Sequence, residues 1–121
     1  MSSASDRPNL NIEQTNGGTV VHLIGCRSLN EQSTPAVEQQ LLSLADEVAG
    51  GHLLVDLSKV HYMSSIALGM LIGLRQKMRA SSGQLTLLGV SPEIFELFDA
   101  TRLTRLLNVQ RDGKPDPPAN A

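Results

Sequence analysis

Tryptophan is absent, and the only aromatic side chains among the 121 residues are Tyr62, Phe95 and Phe98. So few rings exclude a base-stacking platform for single-stranded nucleic acid, and they leave the core to Leu, Val and Ile. Cysteine is nearly absent as well. The lone Cys26 cannot form an intrachain disulfide, so nothing points to an oxidising compartment. Charge of one sign is not in excess: 10 Lys and Arg stand against 12 Asp and Glu, a formal net charge of −2. That balance gives no basic footprint for direct nucleic-acid binding. No apolar run approaches the roughly 20 residues needed to span a bilayer, and the start, Met1 to Pro8, lacks the apolar segment of a signal peptide. The expectation is a soluble cytoplasmic protein without a membrane partner.

What is present suits one domain that needs neither disulfide nor metal to hold a core. Residues 1–8 are polar and read as a flexible arm. Residues 111–121 hold Pro115, Pro117 and Pro118 without an apolar face, and read as a disordered tail. Residues 9–110 form the domain. Leu10 to Gln14 alternates as a strand. Asn16-Gly17-Gly18 is a hairpin turn signal, and Thr19 to Ile24 is the returning strand. Ser33-Thr34-Pro35 opens a helix, with Ser33 or Thr34 as cap and Pro35 in the first turn. Val37, Leu41, Leu44, Ala45 and Val48 then recur at helical spacing until Gly50-Gly51. His52 to Leu57 holds a continuous apolar run that suits a strand covered on both faces. Ser64 and Ser65 precede a helix over about 66–79, with Arg75, Lys77 and Arg79 at its C-terminal end. Leu85, Leu87 and Leu88 mark another strand. Ser91-Pro92 caps a third helix carrying Ile94, Leu97 and Phe98, and Thr101 can cap a final turn that leads to a segment near Val109. Alternating strands and helices predict an α/β fold with a mixed sheet of about four to five strands and helices packed against it.

The stretch from Leu53 to Gly69 reads Leu-Leu-Val-Asp-Leu-Ser, then Lys59-Val60-His61-Tyr62-Met63, then Ser64-Ser65-Ile66-Ala67-Leu68-Gly69. It resembles the central signature of the STAS family, of the anti-sigma factor antagonist type. In that signature an apolar strand ends in Asp-Leu-Ser, and Asp-Ser-Ser-Gly-Leu-Gly opens a helix. Gly83 to Pro92 and Leu103-Thr104-Arg105-Leu106-Leu107 resemble the family downstream, so the likeness runs from about Leu10 to Val109. It implies a STAS fold and a non-enzymatic role in partner switching. The antagonist binds a kinase-type anti-sigma factor, which phosphorylates it on the first serine of the motif, and a serine phosphatase reverses the step. By position the acceptor is Ser65, with Ser64 as the second candidate. The resemblance implies a partner-binding set of Ser64, Ser65, Ile66, Ala67, Gly69 and Asn30. The sequence departs from the pattern where the family Asp is Ser64, the second Ser is Ile66 and the Gly is Ala67. Asn30 aligns with the family's acidic corner only across an insertion.

A serine at this place can act as a switch for a physical reason. A helix start has unpaired amide hydrogens and partial positive charge, so it tolerates the roughly −1.5 to −2 charge of a phosphate. A partner fitted to a neutral hydroxyl would have to desolvate a dianion instead. The plainer role for either serine is an N-cap. Ile66 is either a core residue of the first turn or an apolar knob for a partner to cover. Gly69 and Gly73 suit close approach of a partner or of the protein's own sheet, with the sheet as the expected neighbour.

His22, His52 and His61 lack metal-ligand spacing, so neither a metal nor a cofactor is expected. Cys26 reads as a half-buried structural thiol, and no phosphate-cradling loop is present. Two other uses of the same fold stay open: a non-phosphorylated scaffold subunit of a signalling complex, and a carrier for a small ligand such as a nucleotide or lipid.

Overall fold

The computed structural model describes residues 10–25 and 27–111. Cys26, the expected arm at 1–8 and the tail beyond 111 lie outside the described residues. Arg111 itself belongs to the last strand rather than to the tail.

The chain opens with a hairpin of β1 (Leu10–Thr15) and β2 (Gly18–Leu23), paired antiparallel. Its turn is closed by the Thr15 hydroxyl, which donates to the Gly18 carbonyl at 2.9 Å and accepts from the Gly17 amide at 3.2 Å. Gly18 has φ +139°, and a Cβ there would lie 2.3 Å from the His52 carbonyl oxygen, so only glycine lets β2 start beside β4. A two-residue strand β3 (Ser28–Leu29) precedes α1 (Thr34–Glu47), and β4 (His52–Asp56) follows. A second two-residue strand, β5 (Tyr62–Met63), leads into α2 (Ser65–Ala80), then β6 (Gln84–Val90), α3 (Pro92–Ala100), a 3₁₀ turn (Leu103–Arg105) and β7 (Asn108–Arg111). The main sheet has the order β1-β2-β4-β6-β7, parallel from β2 onward. Each crossover steps in the same direction, so right-handed connections put α1, α2 and α3 on one face.

That topology explains the core. Val21 and Leu23 of β2, Leu53 and Val55 of β4, and Leu85 and Leu87 of β6 point to the helices. Val37, Leu41 and Leu44 of α1, Leu71, Leu74 and Met78 of α2, and Phe98 of α3 meet them. The opposite face carries His22, Leu54, Asp56 and Leu88, all half-buried. The expectation that β4 is covered on both faces is therefore corrected: its residues alternate between buried and half-buried, because no helix crosses to the second face.

Local signals worked as expected in part. Ser91 caps α3 by accepting from the Ile94 amide at 3.3 Å, with Pro92 in the first turn. Ser33 precedes α1 but makes no side-chain cap. Its hydroxyl donates to the Ser28 carbonyl at 2.8 Å and accepts from the Asn30 amide at 3.0 Å, which binds the turn before the helix instead. Thr101 does not cap the final turn. Its hydroxyl donates back to the Leu97 carbonyl at 2.8 Å, as helical threonines do.

Candidate functional site

The helix-facing ends of two loops meet at the start of α2. β3 and β5 pair in parallel, Ser28 with Tyr62 and Leu29 with Met63. The His61 and Tyr62 amides donate to the Arg27 carbonyl at 2.7 and 3.2 Å, and the Ser64 amide donates to the Leu29 carbonyl at 2.8 Å. This short ladder brings Asn30 beside the serine pair, although the two are far apart in sequence. The Asn30 side chain is spent locally: its Oδ1 accepts from the Gln32 and Ser33 amides at 2.8 and 2.9 Å, an Asx turn that prepares α1.

The two serines divide their work. Ser64 is the N-cap, with φ −83° and ψ 171°, and its hydroxyl accepts from the Ala67 amide at a long 3.4 Å. Ser65 is the first helical residue. It is exposed, and its hydroxyl has no hydrogen-bond partner among the described residues. The first turn of α2 holds no acidic residue, so no carboxylate of that turn offsets the positive end of the helix. Two exposed apolar side chains stand near Ser65 in sequence, Tyr62 at 56% and Ile66 at 48% relative exposure. Ile66 is thus the outward knob of its two readings, not a core residue.

One expected partner contact changes, and so does the expected use of two glycines. Ala67 is fully buried, on the α2 stripe of Met70, Leu71, Leu74 and Met78, and has no surface to offer a partner. Gly69 and Gly73 are exposed, and a Cβ at either would meet nothing within 4 Å, so neither serves close packing against the sheet. Gly69 stays on the outer face of α2 with Ile66.

On the sheet face away from the helices is a cluster that sequence reasoning missed. His22 Nδ1 lies 2.6 Å from Asp56 Oδ2, and Nε2 lies 3.0 Å from Glu13 Oε1. Ionised carboxylates only accept, so the two contacts together favour the protonated ring, in which both nitrogens donate. The Glu13 hydrogen bond, then that of Asp56, raises the His22 pKa above 6.5. Burial pushes the Asp56 carboxyl up, but the bonds from His22 and Ser58 outweigh it, and its pKa falls below 3.8. Asp56 Oδ1 also accepts from the Ser58 amide at 2.9 Å, which turns the chain from β4 toward β5. The available signal was weak: His22 and Asp56 end neighbouring strands, but their pairing is a matter of register. No group of three or more His, Cys, Asp or Glu side chains among the described residues is placed to hold a metal ion. No helix among them is long and apolar enough to cross a membrane.

Comparison with known proteins agrees with this architecture. The family model described as the STAS domain matches residues 9–113. An anti-sigma-B factor antagonist of Staphylococcus epidermidis is 33% identical over 102 residues, covering 84% of this chain and 93% of that protein. The structure of an anti-sigma-factor antagonist (STAS) domain protein from Planctomyces limnophilus superposes with a TM-score of 0.77 at 17% identity, over 84% of this chain and 89% of that one. The Bacillus cell fate determinant SpoIIAA in its phosphorylated form superposes with a TM-score of 0.61 at 19% identity, over 84% and 90% of the two chains.

Proposed function

The chain belongs to the STAS domain family, and from that premise we propose that it is an anti-sigma factor antagonist whose grip on a kinase-type anti-sigma factor is switched by phosphorylation of Ser65. The observation that carries this reading is the division between neighbouring serines. Ser64 accepts the cap bond, while Ser65 is exposed and uncommitted at the helix start. A phosphate on Ser65 would meet outward amides and no acidic neighbour in the first turn. The same phosphate would stand on the helix turn that carries the exposed Ile66, where an apolar partner surface would have to desolvate it. In the cytoplasm a serine phosphatase would restore the binding form. Ser64 is the second candidate acceptor, but modifying it would remove the cap.

The test is phosphorylation by a cognate kinase-type anti-sigma factor, followed by intact-protein mass. Ser65→Ala should lose the mass shift and keep binding. Ser65→Glu should weaken binding about tenfold or more, as a misplaced charge in a contact does. A full mass shift in Ser65→Ala would overturn the assignment.

A second reading rests on Ile66, an exposed apolar side chain where the family pattern has serine. It favours a lasting contact, as in a non-phosphorylated scaffold subunit. A stable complex that neither kinase nor phosphatase changes would support it.

A further inference from the structure

The two edges of the main sheet are built differently. β7 is four residues long, and its register with β6 shifts between Leu87 and Val90, the kind of irregularity that blunts an edge. β1 is six residues of regular strand without Lys, Pro or bulge, and its single charge, Glu13, is bonded to His22. Thr15 and Gly18 flank a two-residue turn, so they form a bonded pair, and the alternation of an antiparallel ladder then makes Glu13 and Asn11 bond to β2 as well. The N–H and C=O groups of Leu10, Ile12 and Gln14 therefore point away from β2, along an edge that no other strand covers among the described residues. Beside that edge runs a groove of about 410 Å³ lined by Ile12, Gln39, Gln40, Ser43 and Leu44. Ile12 stands in it at 47% relative exposure, on the side of the sheet that carries the core.

We propose that β1 is a self-association edge, on which two copies pair their β1 strands antiparallel about a two-fold axis through Ile12. A two-fold contact must complement itself, and this register does. Ile12 meets Ile12 of the second copy as a bonded pair, Leu10 meets Gln14, and Asn11 meets Glu13. Every pair shares a face of the sheet. Ile12 from each copy fills the end of the other's groove, and the sheets join into one. Shifting the axis by one residue, to Glu13, would set two carboxylates opposite each other, which is unfavourable. Charge thus selects the register, and hydrogen bonding of the exposed edge supplies the pairing.

Sedimentation of the full chain over a wide concentration range tests this. The wild type should pass from monomer to dimer, and Ile12→Lys should raise the dissociation constant about tenfold or more with an unchanged circular dichroism spectrum. In a Cys26→Ser background, Ile12→Cys should form a disulfide-linked dimer on mild oxidation, because bonded partners lie within disulfide reach. Asn11→Cys should not. The cysteine pair keeps the test decisive if the lysine variant fails to fold. A chain that stays monomeric at every concentration, a folded Ile12→Lys protein that dimerises as before, or equal cross-linking at Asn11 would each overturn the proposal. Edge amides of Leu10, Ile12 and Gln14 that gain exchange protection only with a foreign protein would overturn it too, in favour of a heterologous strand.

Discussion

At the scale of single residues, the start of α2 and the start of α1 make opposite use of a hydroxyl. Ser64 accepts the Ala67 amide at the outer limit of a hydrogen bond. Ser64→Ala should therefore cost about 0.5–1 kcal/mol, the weaker part of the range for caps, measured by urea unfolding. Ser65→Ala should stay within about 0.5 kcal/mol of wild type in the same measurement, as for exposed substitutions without a special role. Thr34 at the head of α1 is buried with no partner for its hydroxyl among the described residues. Replacing it with the isosteric Val removes a polar group that lost its water without gaining a bond. Thr34→Val should be neutral or stabilise by about 1 kcal/mol, and a clear loss of stability would show that the hydroxyl is satisfied in solution.

At the scale of elements, α2 carries two glycines that its own fold does not use. Gly69→Ala and Gly73→Ala add a Cβ into open space on a helix, so each should stabilise by about 0.5–1 kcal/mol. If Gly69 lies in the partner contact, Gly69→Ala should raise stability and weaken binding together, a split that titration calorimetry beside denaturation would read. Gly18→Ala is the counter-example, because its Cβ would collide with the backbone of β4. A loss of about 2 kcal/mol or more is expected there. The helices were legible in the sequence because caps and 3.6-residue periodicity are local: the Ser91-Pro92 cap and the α1 stripe of Val37, Leu41, Leu44 and Ala45 both read directly. β3 and β5 were not legible, since two residues carry no period. The second face of β4 was misread because three apolar residues in a row do not tell which face a helix covers; that depends on the direction of every crossover. The site was half legible. The exposed serine follows from its place at the start of the helix, whereas the burial of Ala67 and the outward turn of Ile66 depend on how α2 is rotated against the sheet.

At the scale of the whole molecule, the Glu13–His22–Asp56 bridge joins β1, β2 and β4 and makes stability depend on pH. The raised pKa of His22 contributes stability that is complete below 6.5 and lost as pH climbs through the folded value. The lowered pKa of Asp56 contributes stability present above 3.8 and lost as pH falls through its folded value. For this bridge the most stable interval therefore lies between those two limits. His22→Gln should flatten the alkaline side of a pH series of urea midpoints, and an unchanged slope there would show that the bridge is not formed in solution.

The cap and the exposed hydroxyl belong to adjacent residues, and this separates what holds the helix from what an outside enzyme can alter. If Ser65 is the modified residue, a calorimetric scan should find both forms melting at nearly the same temperature, since the altered atom supports nothing inside. The mark would then be legible only to a visitor at the surface, and reading or erasing it would demand no refolding.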